Sequence, residues 1–195
     1  MMLENAAYQI CRFLFAPVFR MYFQPVIVNN ERIPEKGRVI LAGNHKHALD
    51  PILVDCSTRR TVHTLAKSEL FEGPFGFFFR MIKAIPVYLE APGNPAAYAS
   101  ARKVLQNEEA VNISPEAARN YTDQILLPFK TGAVRLARET DTLILPYCIV
   151  GDYRFLSKNL KIVFGTPLAI DEDDVKAANQ KLYQAVEELL KENQP

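Results

Sequence analysis

Apolar and polar positions along the chain fall into blocks that switch between strand and helix periods. Val39-Ile40-Leu41-Ala42, followed by Gly43-Asn44, is an unbroken apolar run closed by turn residues, the pattern of a strand buried on both faces. Residues 26–28 and 61–66 predict two more short strands, and residues 31–37 a turn ahead of the first run. A helix is expected over 52–57, another short one over the apolar stretch 74–82, and a longer one from Asn94-Pro95 to about Gln106 that buries Ala97, Ala101, Val104 and Leu105. Residues 110–113 read as a strand, and a helix capped by Thr131 follows with Val134, Leu136 and Ala137 inward. Residues 143–151 are again a buried strand, although Pro146 places it at an edge or a bulge. A strand over 160–164 and a last helix from about Asp171, burying Val175, Leu182, Val186, Leu189 and Leu190, complete the pattern. Strands alternating with helices predict an α/β fold: a mixed, largely parallel sheet flanked by helices.

The first 23 residues are patterned differently. Asn5, Gln9, Arg12 and Arg20 share one narrow helical stripe, and the rest of the girth is mainly apolar, from Tyr8 and Ile10 to Met21, Tyr22 and Phe23. The uncharged run between Arg12 and Arg20 is far below the roughly 18 residues of a membrane span, and Pro17 is expected to kink the helix. There is no basic start, apolar centre or small-residue cleavage site to make a signal peptide. The expectation is an amphipathic helix lying in a bilayer interface, Arg12 and Arg20 reaching anionic phosphates; the alternative is a helix packed on the domain itself. This divides the chain into an interfacial helix, 1–25, and one domain, 26–195.

Composition narrows the classes. The 195 residues are 49% hydrophobic and 23% charged, the balance of a globular domain able to bury a core, and a net charge of +1 gives no field for nucleic acid. Cys11, Cys56 and Cys148 lie far apart without metal spacing and read as small core residues of a reducing compartment.

Candidate chemistry gathers in Gly43-Asn44-His45-Lys46-His47-Ala48-Leu49-Asp50-Pro51. On one continuous helix His45 and Asp50 would point about 140° apart, so they meet only if the backbone turns, and Gly43, Asn44 and Pro51 supply turn chemistry. Asp50 could then hold one ring nitrogen of His45 and leave the other to accept a proton. His47 and His63 read as structural, and no nucleophile motif of the Gly-x-Ser-x-Gly kind occurs.

The His-x4-Asp block resembles the first motif of the glycerolipid acyltransferases, the 1-acylglycerol-3-phosphate acyltransferase family. Further blocks resemble that family in order. Lys67-Ser68-Glu69-Leu70-Phe71 is similar to its Ala-Lys-x-Glu-Leu-Phe segment, and Ala84-Ile85-Pro86-Val87 to its second block, with Leu89 where an Arg is usual. Ser114-Pro115-Glu116-Ala117-Ala118-Arg119-Asn120 resembles the third, usually Phe-Pro-Glu-Gly-Thr-Arg-Ser, with Ala117 and Ala118 in place of Gly and Thr. Pro128-Phe129-Lys130-Thr131-Gly132-Ala133 and the strand around Pro146 resemble the segments that follow, so the likeness runs over residues 26–168.

The resemblance implies direct transfer of a fatty acyl group from acyl-CoA or acyl carrier protein to the hydroxyl of a lysophosphatidic acid-type acceptor. It implies no cofactor and no metal, with His45 and Asp50 catalytic. Lys67 and Arg119 become contacts for the acceptor phosphate. Glu116 either accepts from the acceptor or holds the loop in shape, and Ala117 and Ala118 remove backbone freedom and a hydroxyl from that loop. An aromatic slot at Phe75, Phe78 and Phe79 is expected to take the thioester's acyl chain, core packing being the alternative. Expected partners are a membrane surface, on its cytoplasmic face, and a lysophospholipid; no nucleic acid is expected, and no oligomeric state is specified. Two other classes compete: a hydrolase using the same pair on water, against which Arg119 and Lys67 argue, and a lipid-binding relative, or one with another lysolipid acceptor, to which Leu89, Ala117 and Ala118 point.

Overall fold

Strand periodicity decides how the sheet is buried. In the computed structural model, which describes residues 2–74, 76–88, 93–171 and 174–194, with side chains from residue 8, every position of the 39–43 run is buried. The described elements are α1 (Met2–Phe23), β1 (Val26–Val28), β2 (Val39–Gly43), α2 (Asp50–Ser57), β3 (Val62–Lys67), α3 (Glu69–Glu72), α4 (Gly76–Met81), β4 (Ile85–Val87), α5 (Pro95–Gln106), β5 (Ala110–Ile113), α6 (Gly132–Thr140), β6 (Ile144–Val150), β7 (Lys161–Phe164) and α7 (Val175–Asn193). The strands form one sheet in the order β1-β7-β6-β2-β5-β3-β4. Neighbours are parallel except β6 and β7, which run antiparallel. The carboxyl ends of β2, β3, β4, β5 and β6 therefore share one edge of the sheet.

Alternate residues of β2 and β6 serve two cores. Ile40, Ala42, Ile144 and Cys148 pack under α5, α6 and α7, with Leu105, Leu136, Leu182 and Val186. Val39, Leu41, Leu145, Tyr147 and Ile149 face Leu53 and Val54 of α2 and Phe19 of α1. The three cysteines are unpaired and buried. The expected mixed, largely parallel sheet between helices is the observed one.

Of the two placements expected for Pro146 the structure shows the bulge, and two other local expectations need correction. Pro146 lies on an interior strand, not an edge. Its carbonyl accepts from Gly165 N–H at 2.8 Å, so its missing N–H faces the β7 side. Irregularity is confined there: Tyr147 and Ile144, three residues apart, pair with Phe164 and Leu168, four apart, which inserts one residue opposite the proline. Asn94 and Thr131 precede α5 and α6 but make no side-chain cap bond. The last helix begins at Val175, later than Asp171, because Asp174 caps it by accepting Lys176 N–H at 2.8 Å.

α1 is continuous through Pro17 and lies on the domain through Tyr8, Cys11 and Phe19, with Arg12 and Arg20 reaching its carbonyls from the flank. Tyr8, Cys11 and Phe19 are buried, and the Tyr8 hydroxyl both donates to Asp55 and accepts from Val62 N–H, each at 3.2 Å. Arg12 donates to Arg60 O at 3.2 Å and Arg20 to Cys56 O. The arginines thus bind carbonyls of the domain: that of Cys56, in the last turn of α2, lacks a helical partner, that of Arg60 follows the helix, and a guanidinium supplies donors to both. The outward face carries Phe13, 78% exposed, and Met21, 70% exposed, together with Ile10, Leu14 and Val18. No described helix is long and apolar enough to cross a membrane.

Candidate active site

The site begins where β2 leaves the sheet. A side chain at Gly43 would sit 2.4 Å from the Tyr147 ring, so only glycine fits between β2 and β6 here. Asn44, buried, then ends the ladder with its side chain, donating to Ile149 O at 2.9 Å and accepting Ile149 N–H at 2.7 Å. Its backbone is thereby released to turn, and residues 45–49 curl into α2.

Asp50 opens α2 at 1% exposure. Its Oδ2 accepts the backbone N–H groups of Lys46 and His47, both at 2.8 Å, and stands 2.9 Å from His45 Nδ1. A carboxylate oxygen already holding two donors accepts again, so Nδ1 carries the proton and Nε2 presents a lone pair. No described residue hydrogen-bonds that Nε2. The other carboxylate oxygen accepts the Tyr153 hydroxyl at 2.7 Å. Burial and the Asp50 charge raise the Tyr153 phenol well above its ordinary value, so it stays a donor. Tyr153 arrives through Gly151, whose φ is +75° and where a Cβ would fall 1.8 Å from Asn159 O, so no side chain fits. Lys46 donates to Gly151 O from the other side.

The loop after β5 is tied to this turn. Glu116, buried, accepts His45 N–H at 2.8 Å and Leu127 N–H at 2.7 Å, and Asn120 N–H returns to His45 O at 2.9 Å. Burial raises the Glu116 carboxyl above its usual value, and the two backbone donors oppose that. Ala117 sits at φ 56, a left-handed conformation. Arg119 is exposed, its guanidinium 5.2 Å above the Tyr121 ring.

A family model for acyltransferases matches residues 25–150, well over half of the chain. The chain belongs to the acyltransferase family. It is 29% identical over 147 residues to a 1-acyl-sn-glycerol-3-phosphate acyltransferase of Borreliella burgdorferi, covering 74% of this chain and 58% of that one. A probable 1-acyl-sn-glycerol-3-phosphate acyltransferase of Mycoplasma pneumoniae is 26% identical over 167 residues, 73% of this chain and 61% of its own length. The chain thus spans less than two thirds of these curated relatives. The crystal structure of the 1-acyl-sn-glycerophosphate (LPA) acyltransferase PlsC from Thermotoga maritima superposes with a TM-score of 0.75 at 18% identity, covering 93% of this chain and 80% of that one, which establishes the shared fold.

On this acyltransferase fold the anticipated residues divide. His45 and Asp50 meet, and Glu116 joins them through the backbone, acting on the loop and not pointing outward. Lys67, exposed, ends β3 at the same sheet edge as His45 and the 116–120 loop. Phe78 lines an apolar groove of about 400 Å³ between α1, α2 and α4, with Phe15, Phe19, Ile52 and Ile82. Phe79 turns instead to Phe71, 5.7 Å between centroids. Phe75 and Leu89 lie outside the described residues. His47 Nδ1 accepts Leu49 N–H at 3.2 Å, and His63 pairs with Glu109 at 3.0 Å. No cluster of metal-ligating residues occurs among the described residues. Asn44 was anticipated as a turn residue but not as a side chain bonded to Ile149, and Tyr153 was not anticipated; a tyrosine two residues beyond a glycine at the carboxyl end of a strand was the available signal, since ligands of open α/β sheets bind at that edge.

Proposed function

We propose that the protein transfers a fatty acyl group from an acyl thioester, acyl-CoA or acyl carrier protein, to the free hydroxyl of a lysophosphatidic acid-type acceptor, yielding phosphatidic acid for phospholipid synthesis. The observation that carries this reading is the His45 ring held through Nδ1 by Asp50 at 2.9 Å, at the carboxyl edge of an acyltransferase sheet. His45 Nε2 takes the acceptor's hydroxyl proton as its oxygen attacks the thioester carbonyl carbon. Asp50 fixes the tautomer and steadies the imidazolium. The tetrahedral intermediate collapses to the ester, its C–S bond breaks, and the departing thiolate takes the proton from His45. Arg119 and Lys67 supply cations for the acceptor phosphate. The apolar groove takes the acyl chain, each methylene removed from water contributing about 0.8 kcal/mol. The exposed face of α1 rests on the membrane, at its cytoplasmic face, where the lysolipid acceptor resides.

The test is purified protein assayed with both thioesters and a panel of lysolipid acceptors. His45→Ala should lose about 10²–10⁴-fold in turnover while folding normally, and Asp50→Asn should also be impaired. A folded His45→Ala protein with wild-type turnover sinks the mechanism. Preference for a lysolipid other than lysophosphatidic acid would reassign the acceptor.

A further inference from the structure

The segment after β6 belongs at once to the catalytic pair and to α1. Tyr153 donates to Asp50 Oδ1 at 2.7 Å, and its ring stacks on His47 with centroids 4.4 Å apart and planes at 22°. Two rings of α1 cover its remaining sides, Phe19 at 6.4 Å and Phe23 at 5.6 Å, both edge-on. α1 grips the same segment again beyond Tyr153. Leu156 N–H donates to Tyr22 O at 2.8 Å, and the rings of Phe155 and Tyr22 stand 4.8 Å apart.

We propose that Tyr153 is a positioning residue for the His45–Asp50 pair, and that α1, by clamping the segment that carries it, is a working part of the active centre and not only an anchor. This rests on the reading of His45 as the general base. The argument is geometric. Three donors from the 45–50 turn converge on Asp50 Oδ2, so Oδ1 is the carboxylate oxygen whose partner must come from outside that turn. Among the described residues only the Tyr153 hydroxyl holds it. Without that hydroxyl an oxygen of a fully buried carboxylate has no partner, and more of its negative charge falls on His45. The imidazolium is then retained more firmly, and the base is unprotonated over a narrower, higher range of pH. The direction of the Tyr153 ring is in turn set by Phe19, Phe23 and His47. The titratable neighbours of Tyr153 are Asp50, His47, Tyr147 and Cys56.

Tyr153→Phe keeps every ring contact and deletes only the donor, so it separates positioning from packing. The full chain is assayed with water-soluble short-chain thioester and acceptor, in the absence of any bilayer. Tyr153→Phe should lower kcat by about tenfold, less than the roughly 10²–10⁴-fold of losing a base. KM should stay near wild type, and the acid limb of the kcat/KM profile should move to higher pH. Phe23→Ala should act in the same direction more weakly, whereas Phe13→Ala, on the outward face, should leave both readouts unchanged. A Tyr153→Phe protein with wild-type kcat and profile overturns the proposal, as does one whose kcat falls with an unmoved profile, since that is loss of structure alone. If Tyr153→Phe fails to fold by circular dichroism, Phe23→Ala decides by the same two readouts, and a wild-type profile there overturns the proposal. His45→Ala, run in parallel, keeps the two readings apart. Activity in that variant removes the general base, whereas an inactive His45→Ala beside an unaltered Tyr153→Phe removes only the positioning role.

Discussion

Glu116 accepts the backbone N–H of His45 at 2.8 Å, so the loop after β5 and the turn after β2 are one unit. A carboxylate suits this place because its two oxygens meet two N–H donors, those of His45 and Leu127. Glu116→Gln would turn an amide NH2 toward one of them. The lost bond at a buried site should cost about 1–3 kcal/mol. Thermal unfolding should show a lower Tm, and turnover should fall with it as the 116–120 loop drifts from His45. An unchanged Tm would mean that the loop is held elsewhere.

Ala117 bears on acceptor binding. A left-handed conformation costs an L-residue roughly 1–2 kcal/mol, and Ala117 adopts one at φ 56. Glycine relieves this but carries more unfolded-state freedom, worth about 0.5–1 kcal/mol. Ala117→Gly should therefore stabilise the protein by at most about 1 kcal/mol in denaturant titrations. Combined with Ala118→Thr, it should raise kcat/KM for lysophosphatidic acid by about tenfold, equivalent to about 1.4 kcal/mol. Arg119→Ala in that background should reverse the gain. Should the double variant be no better than wild type, the alanines suit a different acceptor.

Asp55 makes the packing of α1 on α2 sensitive to pH. Burial raises its carboxyl from 3.8 to about 7, while the Tyr8 hydrogen bond and the Arg12 charge hold it down. Arg20, Cys11 and Cys56 also face this region. The folded state therefore binds more protons than the unfolded chain between those two values, and stability is lost as pH rises through that window. Tm should fall over this range in the wild type, and Asp55→Asn should flatten the decline and raise Tm on the alkaline side. An Asp55→Asn protein with the same slope would assign the pH dependence to other groups.

The outward face of α1 offers a cleaner membrane test than deletion. Removing residues 2–23 would strip Tyr8, Cys11 and Phe19 from the core and expose α2, so binding and folding would fail together. Phe13→Glu with Met21→Glu changes only exposed positions. It should abolish sedimentation with lipid vesicles and leave Tm nearly unchanged. Equal sedimentation of the double variant would place the membrane contact on another surface.

What could be read from the sequence follows the range of the forces involved. The sheet was legible because apolar runs such as 39–42 and 144–150 report burial locally, and the His45–Asp50 pair because its turn is encoded within nine residues. Tyr153 was not, since its partner lies 103 positions away and no local pattern links them. The direction faced by α1 was misread for a related reason. Arginines on an apolar helix suggest lipid phosphates, but the carbonyls they bind belong to Cys56 and Arg60, which the chain brings near only after folding. Pro146 was legible as an edge or a bulge but not as which of the two, because its lost donor matters only on one side, and only folding puts an extra residue of the partner strand there.

The engagement of the α1 arginines by carbonyls of the domain carries a consequence for how the helix would adhere. With Arg12 and Arg20 engaged by backbone oxygens, the side turned to solvent offers hydrocarbon and aromatic surface and little cationic charge. Attachment through that side would release no counterions. Raising the ionic strength should therefore not detach the protein, and replacing acidic by zwitterionic lipid should matter little. Loosely packed or highly curved bilayers, which expose acyl chains between headgroups, should be the surfaces it prefers.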